Sequence, residues 1–327
     1  MKKIMQEEEN VEKKHIVFMG TPPIAAKLLA SLLERPDVII DAVVTQPDRR
    51  TGRKQKLSPS PVKELALAHG LPVLQPEKIR QDFQELLTYT PDLIVTCAYG
   101  QIVPQEVLDL PKYEAVNLHG SLLPAYRGAA PIQRAVWNRE PESGMSLMRM
   151  VKKMDAGPVL DVEKITLAAD ETTSTLFEKM GDAACVLLGR NLDTLVSGNA
   201  DFKEQNEAEV SFAAMIGREE EELDLHKPDA EIEAQIRALA DEPGAYVMAG
   251  GKKLKILKAD YRAEKPEALG TLRMEDRKHM SLSLHEGKLW LETVQLQGKP
   301  AMAISAFVNG QGRSLDGTIV KGKGDAA

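Results

Sequence analysis

Asn117 and His119 stand two positions apart in EAVNLHG (114–120), an apolar run of strand character that closes on a glycine. Side chains alternate along a strand, so both project from one face near its end. An amide can donate to a carbonyl oxygen that gains charge, and an imidazole can take or relay a proton near neutral pH. Neither suits a covalent acyl intermediate. Ser121 is close by but lacks the G-x-S-x-G surroundings of an exposed nucleophile. Asp155, in MVKKMDAGPVL, follows the strand-like MSLMRM on a loop whose Gly157 permits a close turn. If that strand and EAVNLHG were adjacent and parallel, the loop would reach the rim of His119, where a carboxylate fixes the imidazole tautomer. Two uses stay open on spacing alone: joint chemistry, or separate structural roles in which Asp155 caps a turn.

Such residues need a scaffold. HIVFMG (15–20) and VIIDAVVT (38–45) read as strands flanking a helix, TPPIAAKLLASLLE, with Thr21 and Pro22 as cap and first turn. KELALAHG ends a second helix, and DLIVTCAYG (92–100), EAVNLHG and MSLMRM (145–150) continue the strands. Strands alternating with amphipathic helices predict an α/β domain on an open, Rossmann-like, mainly parallel sheet, with its site in the loops after the strands. One long helix follows from Glu171 to about Val196. The expected division is a charged tail (1–14), a catalytic domain (15–196), a polar linker (197–211), a smaller β-rich domain (212–320) and a tail (321–327). Glycine-broken alternation marks strands in the smaller domain, and a barrel is expected over a sandwich because one short sheet must close on itself to bury a face.

Other segments gather at the same rim. Ser121, Leu122, Leu123 and Pro124 form a stiffened apolar step that suits a flat heteroaromatic ring, or else pins the loop to the core. Tyr99 and Gly100, ending another strand, are expected to line the pocket, with plain packing as the alternative for Tyr99. The connection QPDRRTGRKQKLSPSPVK (46–63) carries Arg49, Arg50, Arg53, Lys54 and Lys56. Positive charge of that density points to a polyanion or to a solvated surface. Lys252, Lys253, Lys255 and Lys258 make a second basic strip, and two strips can grip an extended ligand.

Composition narrows the classes. With 43% hydrophobic and 28% charged residues over 327 positions, the chain reads as a soluble globular protein of two domains. No apolar run has the length of a membrane span, and MKKIMQEEENVEKK lacks a signal-peptide core. Cys97 and Cys185 have no metal-ligand spacing, so no metal is expected, and their use fits a reducing cytoplasm. A net charge of -7 argues against a general nucleic-acid binder but leaves room for a local basic patch. Neither G-x-G-x-x-G nor G-x-x-x-x-G-K-[ST] occurs, which lowers nicotinamide cofactors and nucleotide triphosphates.

TQPDRRTGRKQKLSPSPVKELALAHGLPVLQPEK, PDLIVTCAYGQIVPQEVLDLPKY, NLHGSLLPAYRGAAPIQRAVW, ESGMSLMRMVKKMDAGPVL and EIEAQIRALADEPGAYVMAGGKKLKILKA together resemble the methionyl-tRNA formyltransferase family. The resemblance implies a formyltransferase fold followed by an oligonucleotide-binding-type barrel. It implies 10-formyltetrahydrofolate as formyl donor and the α-amine of initiator methionyl-tRNA as acceptor. Asn117, His119 and Asp155 match the family's catalytic trio, SLLP (121–124) its folate contact, and Arg53 an arginine of its tRNA-entering loop. In that scheme Asn117 and His119 stabilise an oxyanion, while Asp155 orients His119 and assists proton transfer. Departures from the family pattern fall at 23–24, 213–225 and 240–242, away from the trio. The competing expectations are a formyltransferase for a sugar nucleotide or other small amine, a formate-releasing hydrolase, and a non-catalytic RNA-binding module. The expected enzyme is cytoplasmic, without membrane contact, and monomeric, because one tRNA would span both domains.

Overall fold

The computed structural model describes residues 13–51, 56–240 and 242–324. In chain order its first elements are β1 (Lys14–Gly20), α1 (Pro23–Leu33), β2 (Val38–Val44), β3 (Arg49–Thr51), β4 (Lys56–Ser58), α2 (Pro61–Ala68), β5 (Val73–Leu74) and β6 (Leu93–Cys97). Next come α3 (Gln105–Leu108), β7 (Glu114–His119), β8 (Arg127–Gly128), α4 (Pro131–Trp137), β9 (Glu142–Arg149), β10 (Val159–Thr166) and α5 (Thr173–Val196). Contacts divide the chain into two compact units. One holds the described residues up to Arg127, Gly144–Ile165 and Glu178–Ser211; the other holds Gly128–Ser143, Thr166–Phe177 and the chain from Phe212.

The first unit is built on a seven-stranded sheet in the order β10-β9-β7-β6-β1-β2-β5. β1 pairs in parallel with β2 and β6, β2 with β5, and β6 with β7. The central strands are apolar on both faces because both are covered; every residue of β6 is buried. α1 turns Ile24, Ala25, Leu28, Leu29 and Leu32 inward at helical spacing. Thr21 does not cap α1 as the sequence suggests. Pro22 takes the cap position, and the Thr21 hydroxyl instead donates to the carbonyl of Tyr99 at 3.0 Å. Gln46 Nε2 donates to the same oxygen at 3.0 Å, so the loops after β1, β2 and β6 are tied together.

β9 overturns one expectation. It runs antiparallel to β7, with His119 opposite Ser146 and Val116 opposite Arg149. The loop after β9 therefore does not reach the C-terminal rim of β7 by parallel adjacency; it must fold back. The polar stretch 197–211 makes backbone hydrogen bonds within the first unit. Lys203 and Val159 exchange backbone hydrogen bonds at 2.8 Å, and Ser211 accepts from Arg127 N at 2.9 Å.

In the second unit the remaining elements are β11 (Phe212–Ala213), α6 (Asp229–Ala238), β12 (Ala245–Ala249), β13 (Lys252–Arg262), β14 (Leu272–Met274), β15 (Met280–Ser283), β16 (Lys288–Leu296), β17 (Met302–Ala303) and α7 (Ile304–Val308). β12-β13-β16-β15-β14 form a curled antiparallel sheet, with β17 on β16. The segment 318–321 bonds to both ends of it. Lys321 exchanges hydrogen bonds with Met248 in β12, and Leu272 N donates to Thr318 O beside β14. This joins the two edges and protects their backbone groups. Leu254, Ile256, Leu282, Leu289, Leu291 and Phe307 fill the interior, and Ile232 and Ile236 of α6 cover it.

Candidate active site

His119 ends β7 and is 6% exposed. Its Nε2 lies 3.0 Å from the carbonyl oxygen of Tyr126. A carbonyl only accepts, so Nε2 carries a proton. The other ring nitrogen, Nδ1, faces Asp155 Oδ1 at 3.7 Å, too far for a direct hydrogen bond and an ion pair only when the ring carries both protons. The loop 150–158 folds back from β9 to deliver this carboxylate, and Gly157 makes the return possible. A Cβ there would overlap the carbonyl oxygen of Arg149. Strand alternation puts Asn117 on the same face of β7 as His119. Its amide, half-buried, has no hydrogen-bond partner among the described residues.

The backbone around His119 is unusual. Four described non-glycine residues have positive φ, and three of them follow β6 and β7 or sit in the 150–158 loop: Ala98 at 46°, Tyr126 at 60° and Asp155 at 51°. Each such residue costs on the order of 1 kcal/mol and persists only where neighbours over-determine it. At Tyr126 the conformation accompanies the carbonyl aimed at His119.

The apolar step after β7 is held from behind. Ser121 is buried and donates to the carbonyl of Ala125 at 2.7 Å. Ser146 of β9 donates to Ser121 O at 2.7 Å and accepts from Leu123 N at 3.0 Å. The Ser121 hydroxyl thus shapes the loop that carries the apolar step. Leu122, Leu123 and Pro124 remain partly exposed. At Tyr99 the side chain takes the packing alternative. Its ring is 2% exposed within the core formed with Val17, Ile94 and Val103, leaving the exposed backbone of Ala98 and Gly100 to face outward. Burial raises its phenol pKa well above the ordinary value.

Arg49 and Arg50 stand exposed on β3, which pairs with β4 as a two-stranded antiparallel hairpin rather than an irregular loop. Its base is anchored by Lys63 Nζ, which donates to both oxygens of Asp48 at 2.8 Å and to Gln75 at 2.7 Å. Lys56 is exposed on β4; Arg53 and Lys54 lie outside the described residues.

Residues 13–192 match the Formyl transferase family, and residues 215–312 match the Formyl transferase, C-terminal domain. The chain belongs to the formyl transferase family. It is 41% identical over 304 residues to the methionyl-tRNA formyltransferase of Latilactobacillus sakei, covering 92% of this chain and 95% of that one. It is 40% identical over 306 residues to that of Listeria monocytogenes, covering 93% and 97%. Among solved structures, an N-formyltransferase from Helicobacter canadensis, complexed with folinic acid and dTDP-3-aminofucose, superposes with a TM-score of 0.64. It is 20% identical and covers 85% of this chain and 98% of its own. HypX from Aquifex aeolicus with tetrahydrofolic acid gives 0.63 at 16% identity, over 90% of this chain and 47% of that one. At such identities these two show a shared formyl transferase fold.

The basic strip of the second unit is partly committed to structure. Lys253 Nζ sits 3.8 Å over the ring of Tyr246, and Lys255 Nζ donates to the carbonyl of Pro243. Lys258 pairs with Glu292 at 2.7 Å, after a register shift in β13 that breaks the expected alternation. Lys252 stands exposed at the strand start. The acidic run 219–222 is also used. Glu220 takes both arms of Arg134 at 2.7 and 2.9 Å, and Glu222 accepts from Tyr246. The Tyr126 carbonyl and Ser146 escaped the sequence reading. Ser146 left one signal, a hydroxyl inside an apolar strand.

Proposed function

We propose that the protein transfers the formyl group of 10-formyltetrahydrofolate to the α-amine of methionine on initiator tRNA. The observation that carries this is about 40% identity, across nearly the whole chain, to proteins named methionyl-tRNA formyltransferase. The folate brings an activated formyl carbon and takes back an amine proton as its N10 departs. Leu122, Leu123 and Pro124, partly exposed on the loop after β7, with the exposed Ala98 and Gly100 after β6, suit a flat, partly apolar group.

This chain's own residues then divide the work. Asn117, whose amide is uncommitted, donates to the formyl oxygen as charge gathers there. Such a donor aimed at a developing oxyanion is worth about 10²–10³ in rate. His119, when protonated, offsets the same charge as a nearby cation, its ring held at Nε2 by Tyr126. Asp155 faces Nδ1 and assists removal of the amine proton. Arg49, Arg50 and Lys56, with Arg53 and Lys54, are assigned to the tRNA phosphates, together with Lys252; Lys253 and Lys255 serve chiefly the second unit's own structure. The reading carries with it a cytoplasmic monomer that needs no metal.

Purified protein, charged initiator tRNA and 10-formyltetrahydrofolate, resolved on an acid gel, test this directly. Formylmethionyl-tRNA from wild type and almost none from His119→Ala is the expected result. Formylation of an amino-sugar nucleotide but not of the tRNA would transfer the acceptor to the alternative class.

A further inference from the structure

One short segment of the first unit grips both neighbours of His119. Gln205 Nε2 donates to the carbonyls of Asp155 and Gly157 at 2.9 and 2.7 Å. Six residues on, Ser211 Oγ accepts from Tyr126 N at 2.9 Å. Asp155 faces Nδ1 of the imidazole and Tyr126 holds its Nε2. The segment therefore sets the position of both groups that flank the ring, without touching the ring.

Gln205 is itself held. Its Oε1 accepts from Nε and Nη2 of Arg127 at 3.0 and 2.9 Å. Arg127 is 1% exposed, and Nη2 also reaches Glu207 at 2.9 Å. Arg127 and Lys153 hold the Glu207 carboxyl below the usual carboxylate range. An amide suits this place because one end accepts from the guanidinium while the other donates to two carbonyls. A carboxylate or a hydrocarbon cannot do both.

We propose that Gln205 and Ser211 are positioning residues for formyl transfer: they lock Asp155 and Tyr126 in left-handed conformations on either side of His119. Resting on the formyltransferase reading, this gives the polar stretch after α5 a part in catalysis beyond joining elements. The ring is oriented from a segment some ninety residues away in the chain, and its geometry depends on two backbone carbonyls.

Gln205→Glu tests it cleanly, since the carboxylate still accepts from Arg127 but cannot donate to the two carbonyls. Formylation kcat should fall about 10- to 100-fold, the scale of a reacting group misplaced by about an ångström. KM for tRNA and folate should move less than about threefold, with the melting temperature near wild type. In an Asp155→Asn background the same change should add almost nothing, because both act through one carboxylate. Ser211→Ala, at an exposed position, is the second probe should Gln205→Glu fold poorly; its loss in kcat should vanish in a His119→Ala background. Full kcat in both single variants, or losses that multiply with those of Asp155→Asn and His119→Ala, would overturn the proposal. Wild-type protein that forms no formylmethionyl-tRNA would instead sink the underlying reading.

Discussion

The Nε2 of His119 and the carbonyl oxygen of Tyr126 are 3.0 Å apart, and this contact decides which ring nitrogen holds a proton. Nδ1 is left facing Asp155 at 3.7 Å, and the amide of Asn117 shares its face of β7. Removing any of the three side chains should lower formylation kcat by about 10²-fold or more while leaving the far-UV circular dichroism unchanged. The losses should not multiply: a triple variant should be little worse than His119→Ala. Full additivity in the steady-state rates would mean that the three do not act together.

Gly157 lets the 150–158 loop pass against the backbone of Arg149. Gly157→Ala should displace Asp155 and reduce kcat by about 10-fold or more, with β7 and its neighbours intact. An undiminished rate with an unchanged KM would show that the loop can shift without moving the carboxylate.

The two thiols should differ sharply. Cys97, at the end of β6, is 1% exposed, and burial pushes its pKa up to about 12, with a smaller contribution from Cys185. Only the thiolate reacts, so native protein should be labelled by iodoacetamide at Cys185 and not at Cys97. Peptide mapping before and after denaturation in guanidinium checks this; rapid native labelling of Cys97 would contradict its burial.

Asp229, the first residue of α6, is buried and accepts from the backbone N–H groups of His285, Glu286 and Gly287 at 2.9, 3.0 and 3.0 Å. Asp229→Ala leaves three donors unsatisfied and should cost roughly 3 kcal/mol in the second unit. Asp229→Asn, which keeps one acceptor oxygen, should cost less. Thermal unfolding of the three proteins gives the ranking.

Asp37 is gripped by Arg35, with Nε at 3.0 Å and Nη2 at 2.7 Å, and by Lys14 at 2.6 Å. The Arg35 hydrogen bonds first, then that of Lys14, hold its carboxyl far below the usual range. A depressed folded-state pKa stabilises above the unfolded value near ~3.9, and that gain is lost as pH falls through the folded pKa. Asp37→Asn should therefore lose about 2 kcal/mol at pH 7, and the gap to wild type should narrow below pH ~4. Urea melts at several pH values would refute this if the gap were constant.

Legibility followed the range of the interactions. β1, α1, β2, β6 and β7 were readable because their apolar periodicity is local. Neighbouring roles were not. Ser121 carries no local sign that Ser146, twenty-five residues on, donates to its carbonyl and braces that loop. Nothing local to Lys255 shows that the folded chain brings the Pro243 carbonyl to its ammonium.

By itself, then, the sequence determined which residue types could carry an acyl transfer and the strand that presents two of them, since alternation and apolar patterning act over a few residues. Tertiary structure decided the rest. That β9 runs antiparallel to β7, that the Asp155 loop must double back, and that Tyr126 and Gln205 hold the groups around His119 all depend on pairings between distant segments. Those pairings form only when buried backbone and side-chain polar groups find partners in the folded chain, and no local pattern encodes which partners they will be.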